Sequence, residues 1–179
     1  PSHGVKIMFA SGLMKNIFAS AKLNSIDLDT IDELDKKSFA AFMGIMLVDY
    51  GDKARAVSKS VAKLSNKDAD SVQSIVDFIR NENKIMDDMV ELVKFSQKND
   101  KFIIDKYLEA KGKKTLTSVL SSLRVKNIKD LPIDGKDISG MGFKGKMIGV
   151  VLNFALEFAV RNNTKVKARI VNAIKAEYN

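Results

Sequence analysis

The chain has 179 residues, 45% of them apolar and 29% charged, with a formal net charge of +8, one His, no Cys and no Trp. This composition suits a folded domain rather than a disordered chain, and it excludes disulfide scaffolds, thiolate or histidine-based zinc sites and the common catalytic triads. The longest apolar run, residues 39–48, is far short of the roughly 18 residues of a membrane span, and no secretory signal precedes the first helix, so a cytoplasmic protein is expected. Pro1 at the start, in place of Met, suggests a chain trimmed or excised from something longer.

Helical periodicity dominates from the beginning. Val5, Met8 and Phe9, then Leu13, Ile17 and Phe18, repeat at three- and four-residue spacing around Gly12. Asp27, Asp29, Asp32, Glu33 and Asp35 lack the glycine-containing spacing of a calcium loop and read as a solvated helix start favoured by the helix dipole. Phe39, Phe42, Met43, Met46 and Leu47 make a wide apolar face ended by Tyr50 and Gly51. Ser65 and Asp68 have capping-box spacing ahead of Val72, Ile75, Val76 and Ile79. Asp68 and Asp70 have the spacing of a two-carboxylate metal motif but sit at a helix start with no phosphate loop before them, which argues against catalysis.

The polar triplet Asn81, Glu82 and Asn83 predicts a break before Ile85, Met86, Met89, Val90 and Val93. Asn99 or Asp100 caps a helix through Leu108, and Thr115 another through Leu123. From Lys146 to Val160 nearly every position is apolar apart from Gly149, Asn153, Glu157 and Arg161, a polar edge on which Glu157 and Arg161 form a favourable pair. A last helix from about Thr164 puts Val166, Ile170, Ala173 and Ile174 on its core face. The eight Met fall at core spacing and read as core filling. The expected fold class is all-α, an elongated stack of about nine helices.

Charge and glycine are unevenly placed. Residues 1–100 hold 14 Lys and Arg against 15 Asp and Glu, whereas residues 101–179 hold 16 against 7. A basic second half points to a polyanionic partner, with a solvated lysine surface as the alternative. Five of the ten glycines lie between Gly135 and Gly149. Asp134 caps a short helix with Asp137 reaching back, Gly140 and Gly142 permit a positive-φ turn, and Gly145 stands at the mouth of the following helix. Backbone N–H groups at that mouth, with Lys144 and Lys146 alongside, are suited to a phosphate. A compact helix connection whose glycines only permit close packing is the alternative.

Residues 131–138 (Leu-Pro-Ile-Asp-Gly-Lys-Asp-Ile), 142–145 (Gly-Phe-Lys-Gly) and Ile148–Gly149 resemble the C-terminal tail of bacterial CCA-adding tRNA nucleotidyltransferases and their poly(A) polymerase relatives. Those tails read GKD(L/I), then G-x-K-P-G-P, then IG; here the Pro-Gly-Pro is reduced to Gly145, and Met147 replaces the acidic residue before Ile-Gly. Residues 1–18 resemble the family's passage from neck to body, with Ala19 where a Pro is usual. Residues 38–79, with Lys63 to Lys67, resemble the body helices of its Gram-positive-type branch, which lacks a His-Asp motif.

The resemblance implies neck-to-body junction helices over 1–22, a helical body over 23–110 and a basic helical tail over 111–179. It implies that the tail holds the acceptor and elbow backbone of tRNA. Lys136, Gly142, Lys144, Gly145 and Lys146 are the first expected contacts; Lys111, Lys113, Lys114, Arg124 and Lys126 are the second. Neither the family's Gly-Ser loop with paired Asp nor its Glu-Asp-x-x-Arg neck helix occurs in residues 1–179. Catalysis, with Mg and CTP or ATP, would therefore belong to a head in cis or on a separate chain, and this chain is expected to be inactive alone, with no cofactor of its own. A free-standing helix–hairpin–helix-like module and a protein–protein adaptor are the competing expectations. The scarcity of aromatics near the basic stretches argues against base stacking.

Overall fold

The computed structural model describes residues 1–35 and 38–178, and among these the chain is all-α, with twelve α-helices and no strand. The count exceeds the expected nine; the first apolar stretch, for example, is divided at Gly12 into two helices. No helix of the described residues is long and apolar enough to cross a membrane.

Two compact units are formed, residues 1–85 with 98–117 and residues 86–97 with 118–179. The first contains α1 (Ser2–Ala10), α2 (Leu13–Ile17), α3 (Leu28–Glu33), α4 (Phe39–Met46), α5 (Ala54–Ser60), most of α6 (Asn66–Asp87), and later α8 (Lys101–Ala110). Gly12, at φ 76°, turns the chain between α1 and α2. The expected face there is only partly right: Val5 and Phe18 are buried but Leu13 is exposed, and Met14, which the periodicity did not include, is buried. In α4, Phe39 also lies outside the core, whereas Ala41, Met43, Ile45, Met46 and Leu47 are enclosed. Gly44 is required at the crossing with α6, because a Cβ there would overlap Ile75.

Ser65 begins α6 as expected: its hydroxyl accepts from Asp68 N (3.1 Å) and donates to the Asp68 carboxylate (2.7 Å). The helix then runs through the predicted break and is kinked at Asn81 (φ −122°, ψ 17°). Asn81 Nδ2 donates to the Asp77 carbonyl at 2.9 Å. Such a side-chain bond to the carbonyl four residues back competes with the helix ladder and accounts for a bend rather than an end. Asp100 caps α8 by accepting from Phe102 N at 3.1 Å.

The second unit contains α7 (Met89–Lys98), α10 (Gly135–Gly140), α11 (Lys146–Arg161) and α12 (Lys167–Tyr178), with α9 (Leu116–Ser121) leading into it. The expected pair of Glu157 with Arg161 does not form. Glu157 accepts from Lys94 at 2.7 Å and Arg161 donates to Asp88 at 3.2 Å, so both side chains are spent in tying α11 to α7 and its start. Ile170 and Ile174 of α12 are fully buried as expected, but Val166 is about half exposed because it precedes the helix rather than lying on its core face.

Candidate nucleic-acid interface

The glycine-rich stretch is built from two local devices. In the first, Asp134 Oδ1 accepts from Lys136 N (2.8 Å) and Asp137 N (3.0 Å), while Asp137 Oδ2 accepts from Asp134 N (3.1 Å), a complete capping box. Lys167 Nζ donates to the other Asp137 oxygen at 2.8 Å, fastening α12 to α10. That bond, with the backbone N–H of Asp134, holds the Asp137 carboxyl below its ordinary value.

The second device is the reversal from α10 to α11. Gly142 (φ 97°) and Gly145 (φ 56°, ψ −131°) occupy the left-handed side of the backbone map that L side chains disfavour. Gly140, expected to share that role, stays inside α10. No side chain caps the start of the 16-residue α11, whose positive end therefore opens at Gly145. Behind the turn, the Tyr178 ring meets Phe143 and Phe154 edge-on, each at 5.6 Å between centroids. This brace was not foreseen; its signal was Tyr178 standing four residues beyond Ile174 on the same helical stripe.

The expected contacts divide into two groups. Lys136, Lys144 and Lys146 are exposed and make no ion pair or hydrogen bond with any described residue through their ammonium groups. The same is true of the side chains of Lys114, Arg124 and Lys126; the main chain of the last two is fixed, by Asn163 to Arg124 N (2.9 Å) and Asp130 to Lys126 N (2.9 Å). Lys111 and Lys113 are different. Lys113 bonds Glu82, and Lys111 lies 3.3 Å from Glu82, 3.7 Å from Asp27 and 3.1 Å from the Tyr107 hydroxyl. Burial alone would raise the Glu82 carboxyl, but Lys113 and Lys111 more than offset it and hold it below its ordinary value.

Lys111, Lys113 and Lys114 also belong to the first unit, whereas the other expected contacts belong to the second. With α7 included, the second unit holds 12 Lys and Arg against 8 Asp and Glu, and the first 18 against 14. The charge asymmetry along the chain is thus evened between the units; the glycine turn places unspent cations beside an uncapped helix start.

The acidic residues make no metal centre among the described residues. Asp27 caps α3 by accepting from Thr30 N at 3.0 Å, Asp32 is taken by Ser2 and the Pro1 amine, and Asp68 and Asp70 turn to Ser65 and Arg55 respectively. Compared with known proteins, the chain matches no family model, no curated protein and no solved structure.

Proposed function

We propose that the chain is the tRNA-binding body and tail portion of a nucleotidyltransferase of the CCA-adding and poly(A) polymerase family, with the glycine turn at the start of α11 as a phosphate-backbone contact. The observation that carries this reading is the coincidence of the Gly-Lys-Asp-Ile, Gly-Phe-Lys-Gly and Ile-Gly pattern with an uncapped helix start flanked by Lys144 and Lys146, neither of which has a partner among the described residues. A-form RNA displays phosphates and 2′-hydroxyls on a wide, shallow groove and is held by shape, so lysines and backbone N–H groups suffice without aromatic stacking. Lys136, Arg124 and Lys126 extend the same unspent cationic surface. In this reading nucleotide transfer, with its Mg and CTP or ATP, is performed by a separate head, and this chain positions the RNA. The work is cytoplasmic, on tRNA 3′ ends.

The test is a binding titration with folded tRNA at two salt concentrations, with duplex DNA of equal charge as competitor. The reading predicts preference for tRNA and an affinity that falls with salt by a log–log slope of about −0.7 to −0.9 per neutralised phosphate. Equal competition by DNA favours a general helical nucleic-acid module, and salt-insensitive or absent binding contradicts a nucleic-acid role.

A further inference from the structure

A second feature lies in the first unit, where the kink of α6 opens a cleft of about 540 Å³. Arg80, Asn81, Asn83 and Lys111 line it, with Tyr107 and Glu82 on its wall. Arg80 has no counter-charge among the described residues. Its guanidinium lies against Gly51, at φ 51°, where a Cβ would overlap it, so the glycine makes room for the flat group. Of the carboxylates near this turn, Asp77 accepts from Gln73 Nε2 at 2.8 Å and Asp49 from Lys22 N at 2.9 Å, while Asp52 is exposed and makes no bond to Arg80. Arg80 makes no hydrogen bond or ion pair with any described residue, although a guanidinium carries five donors.

The acids facing the cleft are Glu82 and Asp27, and both are offset by cations. Glu82 is shared by Lys111 and Lys113, and Asp27 faces Lys111. An entering anion therefore meets a surplus of positive charge, an oriented planar fork and the amide of Asn83. A guanidinium fork matches two oxygens of one phosphate in a way that a point ammonium does not. Packing against Gly51 has already restricted the side chain, which lowers the ordering cost of binding.

We propose that this cleft is an oxyanion site in which Arg80 takes a phosphate group. The assignment is independent of the RNA reading, because it rests on other residues in the other unit. The phosphate comes either from a free anion or from a nucleic-acid backbone.

The experiment is an amide NMR titration of the full chain with inorganic phosphate, at ionic strength held constant with chloride. Saturating shifts are expected at the Gly51 backbone amide and the Asn81 and Asn83 side-chain amides. They should weaken about tenfold or more in Arg80→Gln and less in Arg80→Lys, which keeps the charge but loses the fork. They should persist in a Lys144→Glu/Lys146→Glu variant, so that failure of the glycine-turn reading leaves this result intact. If inorganic phosphate gives no shifts but Arg80→Gln reduces the salt slope of tRNA binding by about 0.7 to 0.9, the site takes a backbone phosphate. Equal shifts in wild type and in folded Arg80→Gln, or no phosphate shifts together with an unchanged tRNA slope, overturn the proposal.

Discussion

Two lysine clusters of the same composition have opposite physical status. Lys111 and Lys113 converge on Glu82, whose side chain is only 12% exposed, with Tyr107 buried beneath. Lys144 and Lys146 flank Gly145 at the open end of α11 and meet no acceptor among the described residues. The first cluster satisfies a half-hidden carboxylate and so belongs to the fold. The second leaves its charge to solvent or a ligand. Formal charge counted along a sequence does not separate these cases; the availability of an internal anion does.

The largest expected effect falls on the internally satisfied cluster. Glu82→Gln leaves the half-buried Lys111 without its closest carboxylate and should cost about 2–3 kcal/mol in urea denaturation, since removing one member of a partly buried pair strands the other. Because the folded carboxyl is depressed, its contribution is present above the ordinary glutamate value of 4.5 and fades as pH falls through the lower folded value. Stability of the wild type should therefore decline on acidification below about pH 4.5, and Glu82→Gln should remove that part of the decline.

The complementary change is Lys144→Glu with Lys146→Glu. It should weaken tRNA binding at least tenfold, about 1.4 kcal/mol, while leaving the melting curve close to wild type, as read by fluorescence anisotropy and circular dichroism. Gly145→Ala tests the turn itself. Forcing a Cβ onto φ 56° should cost about 1 kcal/mol of stability and lower RNA affinity without altering charge. The smallest change belongs to Lys114→Gln, an exposed unpaired lysine. It should leave stability within about 0.5 kcal/mol, so calorimetry should not resolve it from wild type.

The contrast also marks what was legible beforehand. Local signals read well: the Asp134–Asp137 capping box, the Ser65–Asp68 pair, the Asp100 cap and the place of Gly145 at the start of α11 each depend on residues a few positions apart, and each forms. Long-range partners did not read. Glu157 and Arg161 stand at ideal helical spacing, yet Lys94 and Asp88 on another segment take them. Glu82, placed in a predicted break, became the hub for Lys111 and Lys113 because Asn81 bends α6 instead of ending it. Phe39 and Val166 matched an apolar stripe but stayed at the surface; Phe39 is the first residue of α4 and Val166 precedes α12.

The most direct test compares the salt dependence of tRNA binding for wild type, Lys144→Gln/Lys146→Gln and Lys111→Gln/Lys113→Gln, each confirmed folded by circular dichroism. The account predicts that the first variant loses about 0.7 to 0.9 of slope for each phosphate contact removed, while the second keeps the wild-type slope despite lower stability. The reverse pattern, with the slope carried by Lys111 and Lys113, would contradict it.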